Sequence, residues 1–120
     1  MRKKKGEEAT IRDEILYYLL KTGWFARRTN QPTHRLANQS PFPENRGEPD
    51  IDARKIAVPR RGEEIQLEVK TPKGKLSPSQ EIWHHGCREA GGIVLVVTSV
   101  EDTDSQLLHL GFIEQSQLFS

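Results

Sequence analysis

The residues best suited to chemistry in this 120-residue chain sit in one short alternating stretch, Glu64 to Lys70. Ile65, Leu67 and Val69 alternate with Gln66, Glu68 and Lys70. A strand here sends the apolar row one way and the polar row the other. Side chains two apart on a strand leave the same face roughly 6–7 Å apart. A carboxylate and an ammonium aimed at one spot suit a metal ion beside a group that steadies a charged nucleophile. Upstream, Gly47-Glu48-Pro49-Asp50 sets Asp50 at the start of the preceding strand, where hairpin pairing brings it near Lys70. Asp52 shares that face by period two and competes for the same role.

Such a cluster suits Mg²⁺, a hard cation that takes oxygen ligands from one or two carboxylates, water and phosphate. In that arrangement Lys70 positions or deprotonates an attacking water, work that lysines do when burial or neighbours tune them. With 17 acids and eight lysines, about one acid-x-Lys triplet is expected by chance. The single match lies on an expected strand with Pro-Asp on its hairpin partner, and that context gives it weight. The plain alternative is a solvated outer strand face carrying a surface ion pair.

These residues need elements to hold them. Residues 1–6 read as a basic tail, and residues 7–120 as a single domain. Ile11, Ile15, Tyr18 and Leu19 recur at helical spacing between Glu7 and Thr22, with Gly23 as the stop. Trp24 to Arg28 reads as a short strand. Residues 29–49 hold four of the seven prolines and few large apolar side chains, the signature of a long irregular loop. Residues 29–46 of it could close over or thread a DNA branch, or simply be disordered. Ile51–Val58 and Glu64–Lys70 flank Pro59-Arg60-Arg61-Gly62 as a hairpin. Ser77-Pro78-Ser79-Gln80 opens a helix whose expected buried stripe is Trp83, Cys87 and Ala90, ended by Gly91-Gly92. Ile93–Val97 is an apolar run suited to a strand covered on both faces, and Ser99 caps a last helix through Leu110. The order is α-β-β-β-α-β-α. The helix between two strands implies a parallel pair, so the sheet is mixed.

Composition limits the alternatives. One cysteine, Cys87, excludes an internal disulfide framework and a cysteine-based zinc ribbon. Adjacent His84 and His85 diverge by about 100° on a helix, so they grip one ion poorly. No apolar run approaches the roughly 18–20 residues of a membrane helix, and no apolar segment follows Met-Arg-Lys-Lys-Lys, so a cytoplasmic setting is expected. The net charge of +1 conceals a partition. Residues 1–88 hold all 18 Lys and Arg against 12 acids, a net of +6, whereas residues 89–120 hold five acids and no Lys or Arg. A segregated basic body is compatible with a nucleic-acid partner.

Taken in order, Gly47-Glu48-Pro49-Asp50, Glu68-Val69-Lys70, Ser77-Pro78-Ser79-Gln80-Glu81-Ile82-Trp83 and Gly91-Gly92 before an apolar strand resemble the virus-type replication-repair nucleases (VRR-NUC). These form a branch of the PD-(D/E)XK nuclease superfamily. The resemblance spans roughly residues 7–110. It implies a restriction-endonuclease-like α/β core and phosphodiester hydrolysis with one or two Mg²⁺ or Mn²⁺ ions. Asp50, Glu68 and the main-chain carbonyl of Val69 would be metal ligands, Lys70 the catalytic lysine, and Gln80 the glutamine facing the site. A glutamate early in the first helix completes that pattern: Glu8 fits best, with Glu7 and Glu14 as alternatives. Small bacterial and phage members resemble Holliday-junction resolvases, which implies branched DNA as substrate, a homodimer, and a bacterial or phage-infected cell.

Lys73 and Lys75 follow the catalytic strand and could contact backbone phosphate, with Arg27, Arg28, Arg60 and Arg61 extending the track. Arg60 and Arg61, at a hairpin tip, carry less weight. Two other functions remain open: a catalytically silent DNA-binding module with the same fold, and a sequence-specific restriction-type endonuclease. The second would need a base-reading element in the major groove.

Overall fold

The structure, a computed structural model, describes residues 6–29 and 47–118. Its elements are α1 (Glu7–Lys21), β1 (Trp24–Arg28), β2 (Ile51–Lys55), β3 (Glu64–Val69), α2 (Pro78–Glu89), β4 (Val94–Val97) and α3 (Val100–His109). One four-stranded sheet runs β1-β2-β3-β4. The first three strands are antiparallel, and β4 joins β3 in parallel through the α2 crossover. This is the mixed α/β sheet flanked by helices that the sequence predicts, and its architecture is restriction-endonuclease-like. Among the described residues no helix is long and apolar enough to cross a membrane.

The two faces of the sheet have different chemistry. On β3, Ile65, Leu67 and Val69 are fully buried, and on β2 the inward row is Ile51, Ala53 and Lys55. Helix α1 packs Ile15, Tyr18 and Leu19 over that row, and Leu107 of α3 joins the same core with Phe112 and Ile113. Each such large apolar side chain contributes roughly 1.5–3 kcal/mol on burial. Helix α2 contributes nothing to this cluster. It lies over the opposite, polar row of β3 and meets Gln66 and Glu68.

That placement corrects the expected stripe of α2. Its fully buried residue is His84, whereas Trp83 and Cys87 are half-buried and Ala90 is exposed. The helix covers polar partners, so polar side chains face inward: Trp83 Nε1 and Cys87 Sγ approach the Gln66 amide oxygen at 3.5 and 3.4 Å. Strand β2 is also shorter than expected. It stops at Lys55 because the next two N–H groups, of Ile56 and Ala57, turn to the carbonyl of Gly23. The basic tail lies almost wholly outside the described residues, as does most of the proline-rich loop, including its suggested contact with a DNA branch.

Candidate active site

Asp50 immediately precedes β2, and Glu68 is the penultimate residue of β3. The reason their side chains meet lies in the sequence at Pro49. Pairing of β2 with β3 runs from Arg54↔Glu64 to Ile51↔Leu67. Continuing that register sets Val69 opposite Pro49, whose nitrogen has no hydrogen to donate. The ladder ends there. The Pro49 carbonyl accepts from the Thr29 hydroxyl, and the Val69 N–H donates to Asp50 Oδ2 at 2.8 Å, which draws the Asp50 carboxylate across to β3. Residues on a strand point N–H and C=O to the same side, so Pro49 also leaves the Val69 carbonyl without a ladder donor. Thr29 anchors the same turn: its N–H donates to the Asp50 carbonyl at 3.0 Å and its hydroxyl to the Pro49 carbonyl.

Gly47 fixes this turn from the other side. Its φ is +87°, and a Cβ there would lie 2.4 Å from the Ser79 carbonyl oxygen and 2.7 Å from the Gln80 nitrogen. Only glycine lets the Asp50 turn press against the first turn of α2. That first turn carries Gln80. Ser77 caps α2 with a full capping box, in which the Ser77 N–H donates to Gln80 Oε1 at 2.8 Å. With its carbonyl oxygen engaged, the Gln80 amide turns its NH₂ inward and donates to Glu68 Oε2 at 3.2 Å. One turn later His84 Nε2 meets Glu68 Oε1, also at 3.2 Å. Gln80 and His84 are four apart, so one helix face holds both oxygens of one carboxylate.

Glu68 is 1% exposed. Burial first, then the hydrogen bond and charge of Asp50, push its pKa up to about 9; Glu8 adds to the rise and Lys70 opposes it. His84 is held below the usual imidazole range by burial and by the charges of Arg88 and Lys70, so it is the neutral ring that faces Glu68. Its Nδ1 is buried without a hydrogen-bond partner among the described residues. The carboxylate pair is therefore held by neutral donors only, and something positive is needed to let both members ionise. Asp50, Glu68 and the Val69 carbonyl offer oxygen atoms alone, the donor chemistry of Mg²⁺ or Mn²⁺ rather than of a softer ion. Among the described residues no three His, Cys, Asp or Glu side chains form a ready-made cage. A hard cation that keeps several waters does not require one.

The alternatives raised by the sequence lie in different surroundings. Asp50 lies against Glu68, whereas Asp52 accepts from Gln66 Nε2 at 3.0 Å and faces Arg27 Nη2 at 3.6 Å. The charge of Glu8 reaches Glu68, whereas Glu14 lines a separate groove with Tyr17 and Tyr18. The Lys70 charge is felt by both Glu68 and His84. Lys73 and Lys75 are exposed in the loop between β3 and α2; Arg27 is exposed and Arg28 half-buried on the edge strand β1. Arg60 is occupied elsewhere: its guanidinium stacks 3.9 Å over the Phe112 ring, donates to the Leu110 carbonyl and pairs with Glu63. His85 is exposed and turned to Glu89 at 3.9 Å, away from His84's partner.

His84 is the site residue that sequence reasoning missed. The available signal was its four-residue spacing from Gln80, which the apolar reading of α2 set aside.

Comparison with known families bears on the same segment. Residues 45–101 match the family model of the VRR-NUC domain. No curated protein and no solved structure matches the chain. The matched segment holds Asp50, Glu68, Lys70, Gln80 and His84, while Glu8 lies before it. The match to residues 45–101 points to a nuclease-type domain, and that carboxylate pair lies within the matched segment.

Proposed function

We propose that the protein is a metal-dependent DNA endonuclease that hydrolyses phosphodiester bonds. The observation that carries this reading is the pairing of buried Glu68 with half-buried Asp50, hydrogen-bonded only by neutral donors and within reach of the Lys70 charge. Asp50, Glu68 and the Val69 main-chain carbonyl would hold one or two Mg²⁺ or Mn²⁺ ions, with Glu8 contributing charge from α1. Such an ion, when bound, supplies polarisation of the phosphate and an acidified water. Gln80 and His84 keep the Glu68 carboxylate in one orientation. Lys70 positions the attacking water or takes its proton at Nζ. Lys73, Lys75, Arg27 and Arg28 would bind backbone phosphates, a contact that fixes position without reading sequence.

Branched DNA is the proposed substrate, cut by a homodimer. A two-fold junction is matched by two symmetric sites, which an isologous dimer supplies. Labelled junction, flap and linear duplex, each incubated with and without Mg²⁺, test this reading directly. Cleavage of branched substrates that disappears in Lys70→Ala and Asp50→Ala is the expected result. Binding of junctions without cleavage in either Mg²⁺ or Mn²⁺ would leave a DNA-binding module. Cutting at a fixed duplex sequence would indicate a restriction-type enzyme. Sizing the protein in solution tests the dimer.

A further inference from the structure

At the far end of β2 from Asp50, a lysine occupies a position that belongs to the apolar core. Ile51, Ala53 and Lys55 form the inward row of β2, and Lys55 is 4% exposed. Its Nζ lies 5.4 Å over the Trp24 ring. No carboxylate pairs with it and no acceptor takes its protons among the described residues. Beside it, Trp24 Nε1 is buried and without an acceptor among the described residues. Both groups are donors only. Two unmet donors together are costly, because buried polar groups are ordinarily hydrogen-bonded. Burial accordingly holds the Lys55 pKa below the ordinary lysine value.

Lys55 does not end in packed protein. It lines a cavity of about 510 Å³ together with Thr22, Ala57, Val58, Gln115 and Gln117. That is far more than the roughly 30 Å³ share of one water, and it lies within the range of about 300–1,000 Å³ for small-molecule pockets. The neighbouring groups also limit what it can hold. Thr22 Oγ1 already donates to the Tyr18 carbonyl at 2.7 Å, and Gln117 Nε2 donates to the Gln115 carbonyl at 3.0 Å. Gln115 is exposed and lines the same cavity. Glu114 lines the cavity as well, but it is exposed, and water screens its charge far more than that of buried Lys55.

We propose that this cavity is an oxyanion site that takes a phosphate group, with the Lys55 ammonium as its principal ligand. It is independent of the carboxylate site: Lys55 lies five residue steps along the chain from Asp50, roughly 17 Å. A phosphate brings several acceptor oxygens and negative charge to a cavity lined by a buried cation without a carboxylate partner among the described residues. The group could arrive as the free ion or on the end of a nucleic-acid strand.

The indole of Trp24 is a built-in reporter. In a Trp83→Phe background without divalent metal, tryptophan fluorescence is followed on titration with inorganic phosphate, a 5′-phosphorylated oligonucleotide, and the same oligonucleotide without its phosphate. Saturable change with inorganic phosphate is expected, and Lys55→Met should weaken it by about tenfold or more. Gln115→Glu, an exposed isosteric change that adds a competing charge at the cavity, should weaken it as well, and it keeps the test decisive if Lys55→Met fails to fold. A response to the phosphorylated strand, absent for its unphosphorylated twin, would identify a strand terminus as a source; a response to inorganic phosphate alone would identify the free ion. No response to either phosphate, or equal responses in the wild-type protein and both variants, would overturn the proposal.

Discussion

Two carboxylates in this protein are almost equally buried and are held in opposite states. Asp104 on α3 is 4% exposed and Glu68 on β3 is 1% exposed. Burial works against ionisation in both. At Asp104 it is outweighed: the Tyr18 hydroxyl donates at 2.6 Å, the Gln117 N–H donates at 2.8 Å, and the Ser116 side chain adds a further bond. Its carboxyl is held below the ordinary range, while burial and the Asp104 bond drive the Tyr18 hydroxyl well above its own. At Glu68 burial comes first, and the hydrogen-bond partners are a neutral amide and a neutral imidazole. A second carboxylate adds its charge, Lys70 opposes the rise only in part, and the pKa rises to about 9. The fold itself supplies the donors that answer Asp104. At Glu68 the requirement is left for something outside the chain, which distinguishes a carboxylate that joins elements from one that awaits a cation.

The largest expected effect separates the two regions by what each change destroys. Lys70→Ala should lower cleavage by about 10²–10⁴-fold with little change in melting temperature. Asp104→Ala strands the buried Tyr18 hydroxyl in the interior and should cost about 2–4 kcal/mol of stability. Its activity per folded molecule should stay unchanged. Denaturant unfolding beside cleavage rates checks both, and a loss of activity without loss of stability in Asp104→Ala would collapse the distinction.

Gly47→Ala comes next. The added methyl meets the backbone of Ser79 and Gln80 at a positive φ, so the Asp50 turn must move away from α2. A cost of about 1–3 kcal/mol is expected, with cleavage falling further than stability does. Unchanged cleavage would mean that this turn does not place Asp50.

Acidity sharpens the comparison further. Asp104 has a lowered pKa, so its contribution is complete above the ordinary carboxylate value of 3.8 and is lost as pH falls through its own lower value. Glu68 has a raised pKa, so in metal-free protein stability declines as pH climbs from about 4.5 towards about 9. Unfolding curves of wild type against Asp104→Asn should therefore converge in acid, whereas wild type against Glu68→Gln should diverge as pH rises. The smallest effects belong to the surface cations. Lys73→Ala, Lys75→Ala and Arg27→Ala should each weaken DNA binding severalfold and reduce its salt slope by about one. Arg60→Ala should leave that slope unchanged, because its guanidinium is engaged with Phe112, Leu110 and Glu63.

Much of this was legible in the sequence, for definite reasons. The alternation of Ile65, Leu67 and Val69 with Gln66, Glu68 and Lys70 is a local property of a strand, and Ser77-Pro78-Ser79-Gln80 is a local helix start. Both appear where the pattern puts them. The inward face of α2 was not legible, because it depends on which side of the sheet the helix crosses. Placed over the polar row, the helix buries His84 rather than Ala90. Lys55 was missed for a related reason: its period of two with Ile51 and Ala53 was visible, but a lysine on an apolar row acquires meaning only beside Trp24 and a cavity.

The central claim is that the Asp50–Glu68 pair needs a cation to work. Calorimetric titration of Mg²⁺ into wild-type protein and into Glu68→Gln tests it most directly, with unfolding curves showing that both are folded. The account predicts saturable binding to the wild type and its loss in the variant. Equal binding by a well-folded Glu68→Gln protein would contradict it.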